Sequence, residues 1–149
     1  MHSIKAALML LLAAQVTPAV AVQLVDAEGA CIGWANTASP NSQVARAVRC
    51  RGQARAAMAI TAIGEIRAGR RCMGIAGAAP EPGLHPGGSI IWSGCIGTVN
   101  LLWSFDANAI KSRMHNLCLT RSKVADAGSS LYQMQPCDGS KRQQWRVLH

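Results

Sequence analysis

The sequence predicts a closed all-β domain made of three similar lobes. Three observations carry that reading. Cysteines recur in two series with a period in the forties, a large apolar residue follows each second cysteine at a fixed distance, and short β-rich runs are bounded by Gly, Pro, Asp or Ser. A period of this length marks a repeated unit that must stack on its neighbours to bury its apolar face.

The N-terminal segment stands apart from the repeat. Lys5 precedes the apolar run "AALMLLLAAQV" (6–16), and "TPAVA" (17–21) ends in the small-residue pattern Ala19-x-Ala21. The run is shorter than the roughly 20 apolar residues that span a bilayer. A signal peptide over 1–21, cleaved near Ala21, is therefore expected, and no transmembrane segment. The mature chain (22–149) is expected to be secreted, extracellular or periplasmic, and to form one domain.

The repeat is read from the cysteines. Cys31, Cys72 and Cys118 are separated by 41 and 46 residues, and Cys50, Cys95 and Cys137 by 45 and 42. Each first-series cysteine is followed by an apolar residue ("CI", "CM", "CL"), and six to eight residues before it stands an aliphatic one: Leu24, Ile66 and Ile110. Eight residues after each second-series cysteine stand Met58, Trp103 and Trp145, the predicted structural core. The lobes run approximately over 22–65, 66–109 and 110–149. The third copy lacks a final aliphatic strand, and Leu24 at the other end of the mature chain supplies one. An even cysteine count in an exported protein argues for disulfides. The repeat selects one bridge per lobe: Cys31–Cys50, Cys72–Cys95 and Cys118–Cys137. Each closes a loop of about 20 residues, worth roughly 3 kcal/mol in the chain-entropy model.

Strands are expected at 89–96, 99–105, 116–121, 130–137 and 143–148, with a long Gly- and Pro-rich loop at 74–88. The segment 42–71 is rich in Ala and Arg, which favour helix. Gly52, Gly64 and Gly69 interrupt it and Cys50 falls on the beat of the repeat, so strand is favoured there.

The stretch "CLTRSKVADAGSSLYQMQPCDGSKRQQW" (118–145) resembles a ricin B-type lectin repeat, with its "CL", apolar alternation, second cysteine and Gln-x-Trp. The resemblance covers nearly the whole mature chain, is strongest in the third repeat and weakest in the first. It implies a β-trefoil with one disulfide per lobe, core roles for Trp103 and Trp145 with Met58 standing in, and a turn tied by Gln143. In that family each lobe holds a sugar with an acid two residues after the first cysteine, an aromatic about two before the second, and an Asn about three before the core Trp.

Those positions are eroded here. The acid position holds Gly33, Gly74 and Thr120; the aromatic position holds Val48, Ser93 and Gln135; the Asn position holds Arg55, Asn100 and Arg142. Ala56 and Leu101 stand where Gln143 stands in the third repeat. Two incomplete carbohydrate sites are expected: Thr120, Gln135, Arg142 and Gln143, with Asp126 or Asp138, in the third repeat, and Trp92 with Asn100 in the second. Packing in the core is the favoured role of Trp92.

Lys and Arg number 15 against 7 Asp and Glu, a net charge of +8 for the whole chain. Arg46, Arg49, Arg51, Arg55, Arg67, Arg70 and Arg71 lie between residues 46 and 71, opposed by Glu65 alone. Guanidinium forks suit sulfate, carboxylate and phosphate oxygens. Nucleic acid is not expected as a partner, because aromatic residues do not interleave the arginines. The chain has no C-x₂-C pair, and its four histidines are scattered, so no metal or cofactor is expected. His85 and His115 have no evident nucleophile partner, and an enzyme is not expected. The leading reading is a secreted, non-catalytic glycan-binding module with largely degenerate sites. The alternative is a lectin-like scaffold or toxin accessory subunit that binds a protein partner, or anionic glycans through its Arg-rich first repeat.

Overall fold

The computed structural model describes residues 21–34, 43–51, 56–76, 88–126 and 128–149. The expected signal peptide therefore lies outside the described residues apart from Ala21. Twelve strands follow one another: β1 (Gln23–Asp26), β2 (Cys31–Trp34), β3 (Gln43–Val48), β4 (Ala59–Ile60), β5 (Ile66–Ala68), β6 (Arg71–Ile75), β7 (Ile90–Gly94), β8 (Trp103–Asp106), β9 (Ala109–Ser112), β10 (Cys118–Asp126), β11 (Ser129–Gln135) and β12 (Trp145–Leu148). They repeat as three sets of four, and no helix among the described residues is long and apolar enough to cross a membrane.

The last strand of each set pairs antiparallel with the first strand of the next. β4 pairs β5, β8 pairs β9, and β12 returns to pair β1 from Gln23↔Leu148 to Asp26↔Trp145. The ring thus closes through the two ends of the domain, as the position of Leu24 predicts, and closure removes edges that would otherwise invite pairing. Disulfides join Cys31–Cys50, Cys72–Cys95 and Cys118–Cys137, with Cα atoms 5.0, 5.1 and 5.1 Å apart. Each bridges the start of the second strand of a lobe to the residue or two beyond its third.

The repeated apolar positions share one core. Leu24, Ile66 and Ile110 are buried, as are Ile32, Met73 and Leu119 one residue after the first cysteines. Burying one such side chain contributes about 2 kcal/mol. Met58, Trp103 and Trp145 complete the core. The indole of Trp103 donates Nε1–H to the Met73 carbonyl at 2.9 Å, and that of Trp145 to the Leu119 carbonyl at 2.9 Å. Each bond ties the last strand of a lobe to its own second strand. Met58 has no such donor. It is held instead by backbone bonds in both directions with Val22, at 2.7 and 2.8 Å.

The described part of the segment 42–71 holds strands β3 to β5 and the start of β6 with turns and short connections between them, and residues 42 and 52–55 lie outside the description. β3 pairs with β2, β7 and β11, so ladder bonds on both sides override the helical preference of Ala and Arg. Three expectations need correction. Gly74 and Ile75 belong to β6, not to a loop starting at 74, and residues 77–87 lie outside the description. Val99–Leu101 forms a 3-10 turn before β8, and Lys141–Gln143 forms the matching turn before β12. In both, the third residue of the turn is buried under its hairpin (Leu101, Gln143), which an extended strand at that point would not allow.

A buried polar network fastens the N-terminal strand to the third lobe. Asp26 is 2% exposed, and its carboxylate accepts four hydrogen bonds. Two come from the backbone N–H groups of Glu28 and Ala30, at 2.9 and 3.0 Å. The others come from Arg121 Nη1 at 2.6 Å and the Tyr132 hydroxyl at 2.9 Å. A buried charge is tolerable when it is paired and hydrogen-bonded in this way. Burial first, and then the charge of Asp26, push the Tyr132 phenol well above its ordinary value.

Tyr132 is the only tyrosine of the chain, so its titration can be read alone. A folded-state pKa raised above the unfolded value near 10 means that the protonated phenol favours the fold. That contribution is fully present below about pH 10 and is lost as pH rises further. Phenolate absorbance should therefore emerge together with loss of native circular dichroism, and Tyr132→Phe should flatten the alkaline fall in stability. Phenolate forming while the fold is intact would contradict the network.

Gly64 lies at φ +91° between β4 and β5, and its carbonyl accepts the Trp103 N–H at 2.8 Å. A Cβ there would press into the carbonyl oxygen of Trp103. At Gly29, φ is +86° but no atom lies within 4 Å of a Cβ. Gly29→Ala should cost about 1–2 kcal/mol from the left-handed backbone alone, and Gly64→Ala at least about 1 kcal/mol more. Urea denaturation of the two variants measures the difference.

Candidate functional site

Thr120 and Gln143 form the floor of a pocket in the third lobe. Thr120 lies on β10, is 1% exposed, and donates its hydroxyl to the Cys118 carbonyl at 2.9 Å. The 3-10 turn Lys141–Gln143 brings the Gln143 side chain beneath it. Gln143 Nε2 donates to Thr120 Oγ1 at 3.1 Å and to the Pro136 carbonyl at 2.8 Å, while Oε1 accepts the Asp138 N–H at 2.9 Å. One buried amide thus fastens β10, the end of β11 and the following loop. Asp138 in turn accepts the Ser140 N–H at 2.8 Å. Hydrogen bonding from Ser140, its backbone first, holds the Asp138 carboxyl below the usual range, and the Arg142 charge adds to this.

The pocket above this floor has a volume of about 450 Å³. It brings together Thr120, Gln135, Arg142 and Gln143, all singled out in the sequence, and includes Asp138. Ser122, Lys123, Gln133 and Pro136 also line it and were not foreseen. Three of these four were legible in principle. Thr120 faces Gln133 across the hairpin, so period-two alternation places Ser122 with Thr120 and Gln133 with Gln135. Pro136 simply follows Gln135. Lys123 breaks the alternation because the ladder shifts register between Arg121 and Ala125. Asp126 closes β10, and its side chain is outside the description.

The second lobe is different at the same place. Gly74 and Leu101 stand where Thr120 and Gln143 stand in the third. A Cβ on Gly74 would lie 2.5 Å from Leu101 Cδ2, so Leu101 occupies the space that a side chain at 74 requires. Trp92 offers no face to a ligand. It is fully buried, donates Nε1–H to the Gly33 carbonyl at 3.2 Å and meets Trp34 edge-on at 5.5 Å. Its expected partnership with Asn100 in a sugar site is corrected accordingly. Alternation along β7 turns Trp92 inward, in step with Ile90. Asn100 remains, half-buried, in the turn Val99–Leu101. In the first lobe Ala56 is buried with Cys31 and Val25, and Arg55 lies outside the described residues.

The family model for the ricin-type β-trefoil lectin domain matches residues 20–145. The chain belongs to this family. Among solved structures it is similar to an agglutinin from Abrus precatorius, at 21% identity and a TM-score of 0.71, over 87% of this chain and 48% of that one. The chain thus spans about half the length of that agglutinin. It is also similar to a designed threefold-symmetric protein, ThreeFoil, at 14% identity and a TM-score of 0.72, over 87% of this chain and 98% of that one. A third similarity is to the β-trefoil lectin of the Vibrio vulnificus hemolysin/cytolysin, at 12% identity and a TM-score of 0.67, over 89% of this chain and 96% of that one. At these identities the likeness establishes the β-trefoil fold. No curated protein matches the sequence.

The Gln143 bonds make a separable claim about the third lobe of this lectin-family chain. Gln143→Leu leaves the Asp138 N–H and the Pro136 carbonyl without their partner, and should cost about 2–3 kcal/mol in urea denaturation. Amide exchange at Asp138 should quicken. Adding Thr120→Gly reproduces the pairing of the second lobe and should recover about 1 kcal/mol of that loss. No recovery would show that the two positions do not act as a pair.

Proposed function

We propose that the chain is an exported, non-catalytic carbohydrate-binding module whose open sugar place is the pocket of the third lobe. The supporting observation is the convergence of Thr120, Gln135, Arg142 and Gln143 on one recess of about 450 Å³, at the position where this family holds sugars. The matching space of the second lobe is taken up by Leu101. The module is therefore read as largely degenerate, with one place in use. The Vibrio domain was solved with N-acetyl-D-lactosamine bound, which supports the same class of ligand. Export rests on the pattern around Lys5 and Ala19-x-Ala21, in a segment outside the described residues.

A second reading, a lectin-like scaffold for a protein partner, is favoured by apolar exposure in the second lobe. Ile96 is 77% exposed and Val99 47% exposed, just after Cys95.

The test is a titration of the disulfide-bonded chain with a panel of mono- and oligosaccharides, followed by backbone amide shifts. Binding is expected with Kd on the order of 0.1 mM, about −5.5 kcal/mol. Shifts should cluster at 120–123, 133–138 and 142–143, and the exported chain should begin at Val22. Absence of binding across the panel would overturn the carbohydrate reading in favour of the scaffold.

A further inference from the structure

We propose that the third-lobe pocket selects a sugar carrying an oxyanion, a carboxylate or a sulfate ester, held by Arg142 and Lys123. The inference rests on the reading of this pocket as the sugar place and specifies its ligand class.

The floor has little recognition chemistry left to give. The Thr120 hydroxyl already donates to the Cys118 carbonyl and accepts from Gln143. The Gln143 amide spends both N–H groups on Thr120 and Pro136, and its oxygen on the Asp138 N–H. Neither offers the carboxylate that accepts from vicinal hydroxyls of a neutral galactose-type sugar.

The wall lacks the second requirement of a neutral site, an exposed aromatic face. Tyr132, Trp92 and Trp145 are all buried, and Gln135 occupies the aromatic position. No aromatic face for stacking on the C–H side of a sugar ring is found among the described lining residues.

What the rim does offer is positive charge. Arg142 uses one of its five N–H donors, on the Arg121 carbonyl at 3.3 Å. Lys123 is exposed beside it on the pocket wall. Asp138 is the single carboxylate among the described lining residues, and one of its oxygens accepts the Ser140 N–H. Two cations against one carboxylate leave the described lining with one net positive charge and rich in donors. A guanidinium fork matches the paired oxygens of a carboxylate or sulfate. Gln133 and Gln135 remain for the hydroxyls of the ring.

The experiment is calorimetric titration of the disulfide-bonded chain at low salt with matched probes. These are lactose, sulfated lactose, a disaccharide ending in glucuronic acid, and inorganic sulfate. One or both anionic sugars should bind about tenfold tighter than lactose, and which one does so separates sulfate from carboxylate. Their affinity should fall as salt rises. Arg142→Gln should cost about tenfold against the anionic sugar and only about twofold against lactose, Arg142→Lys should be intermediate, and Lys123→Gln should cost about threefold against the anionic sugar. Arg49→Gln, at an exposed arginine of the first lobe, should have no effect.

Equal binding of lactose and the anionic sugars, indifferent to Arg142→Gln, overturns the oxyanion assignment while the carbohydrate reading stands. No binding by any sugar overturns both. Inorganic sulfate binding as tightly as sulfated lactose overturns the assignment, since the ring then contributes nothing. Loss of binding in Arg49→Gln with Arg142→Gln intact also overturns it and places the anion on the Arg-rich segment.

Discussion

The antiparallel ladder between β1 and β12 holds the two ends of the domain together, and the rest of the structure depends on it. Without it the third lobe has three strands, and the first strand of the domain keeps only its pairing with β2 and becomes an edge. Backbone bonds supply the register from Gln23↔Leu148 to Asp26↔Trp145. Side chains then fix it: Asp26 reaches Arg121 and Tyr132, while Trp145 packs against Tyr132 with ring centroids 5.2 Å apart. A contact so distant in sequence carries a large closure entropy, and a buried charge with four donors makes any slipped register costly. The same network stands behind β10 and β11, the hairpin whose other side lines the third-lobe pocket.

Fold and ligand chemistry are carried by different atoms of the same motif. The first cysteine of each lobe, the aliphatic before it and the core Trp or Met are buried and keep their repeat in all three lobes. The residues that would meet a ligand sit on the outer face and have diverged lobe by lobe. Gly74 with Leu101 and Thr120 with Gln143 are two solutions to one packing problem under the hairpin. One fills the space with hydrocarbon, and the other bridges it with hydrogen bonds. Only the second leaves an open recess with polar walls. Membership of a lectin family therefore fixes the scaffold here, and the lobes differ in what they present.

Much of the site was legible because motif positions are counted from the cysteines. The family resemblance marks Thr120 and Gln135 by their distance from the cysteines and Arg142 by its distance from Trp145, and the pocket contains them all. Trp92 shows the limit of counting. One residue of offset along a strand moves a side chain to the opposite face, so an aromatic beside the right position is a core residue. Lys123 shows the converse, since the register shift in β10 places beside the pocket a residue that alternation would have turned away.

The sequence by itself determined the three-lobe architecture, the disulfide pairing and the core. These follow from periodicity, and a repeat must place equivalent residues in equivalent surroundings. Tertiary structure alone decided that the third lobe is open where the second is filled, because this depends on whether two side chains far apart in the chain fill one space or bridge it. It also decided the fate of Asp26, an acid at the end of β1 whose burial its sequence neighbours do not explain. Its partners, Arg121 and Tyr132, lie 95 and 106 residues away and come within reach only when the ring closes.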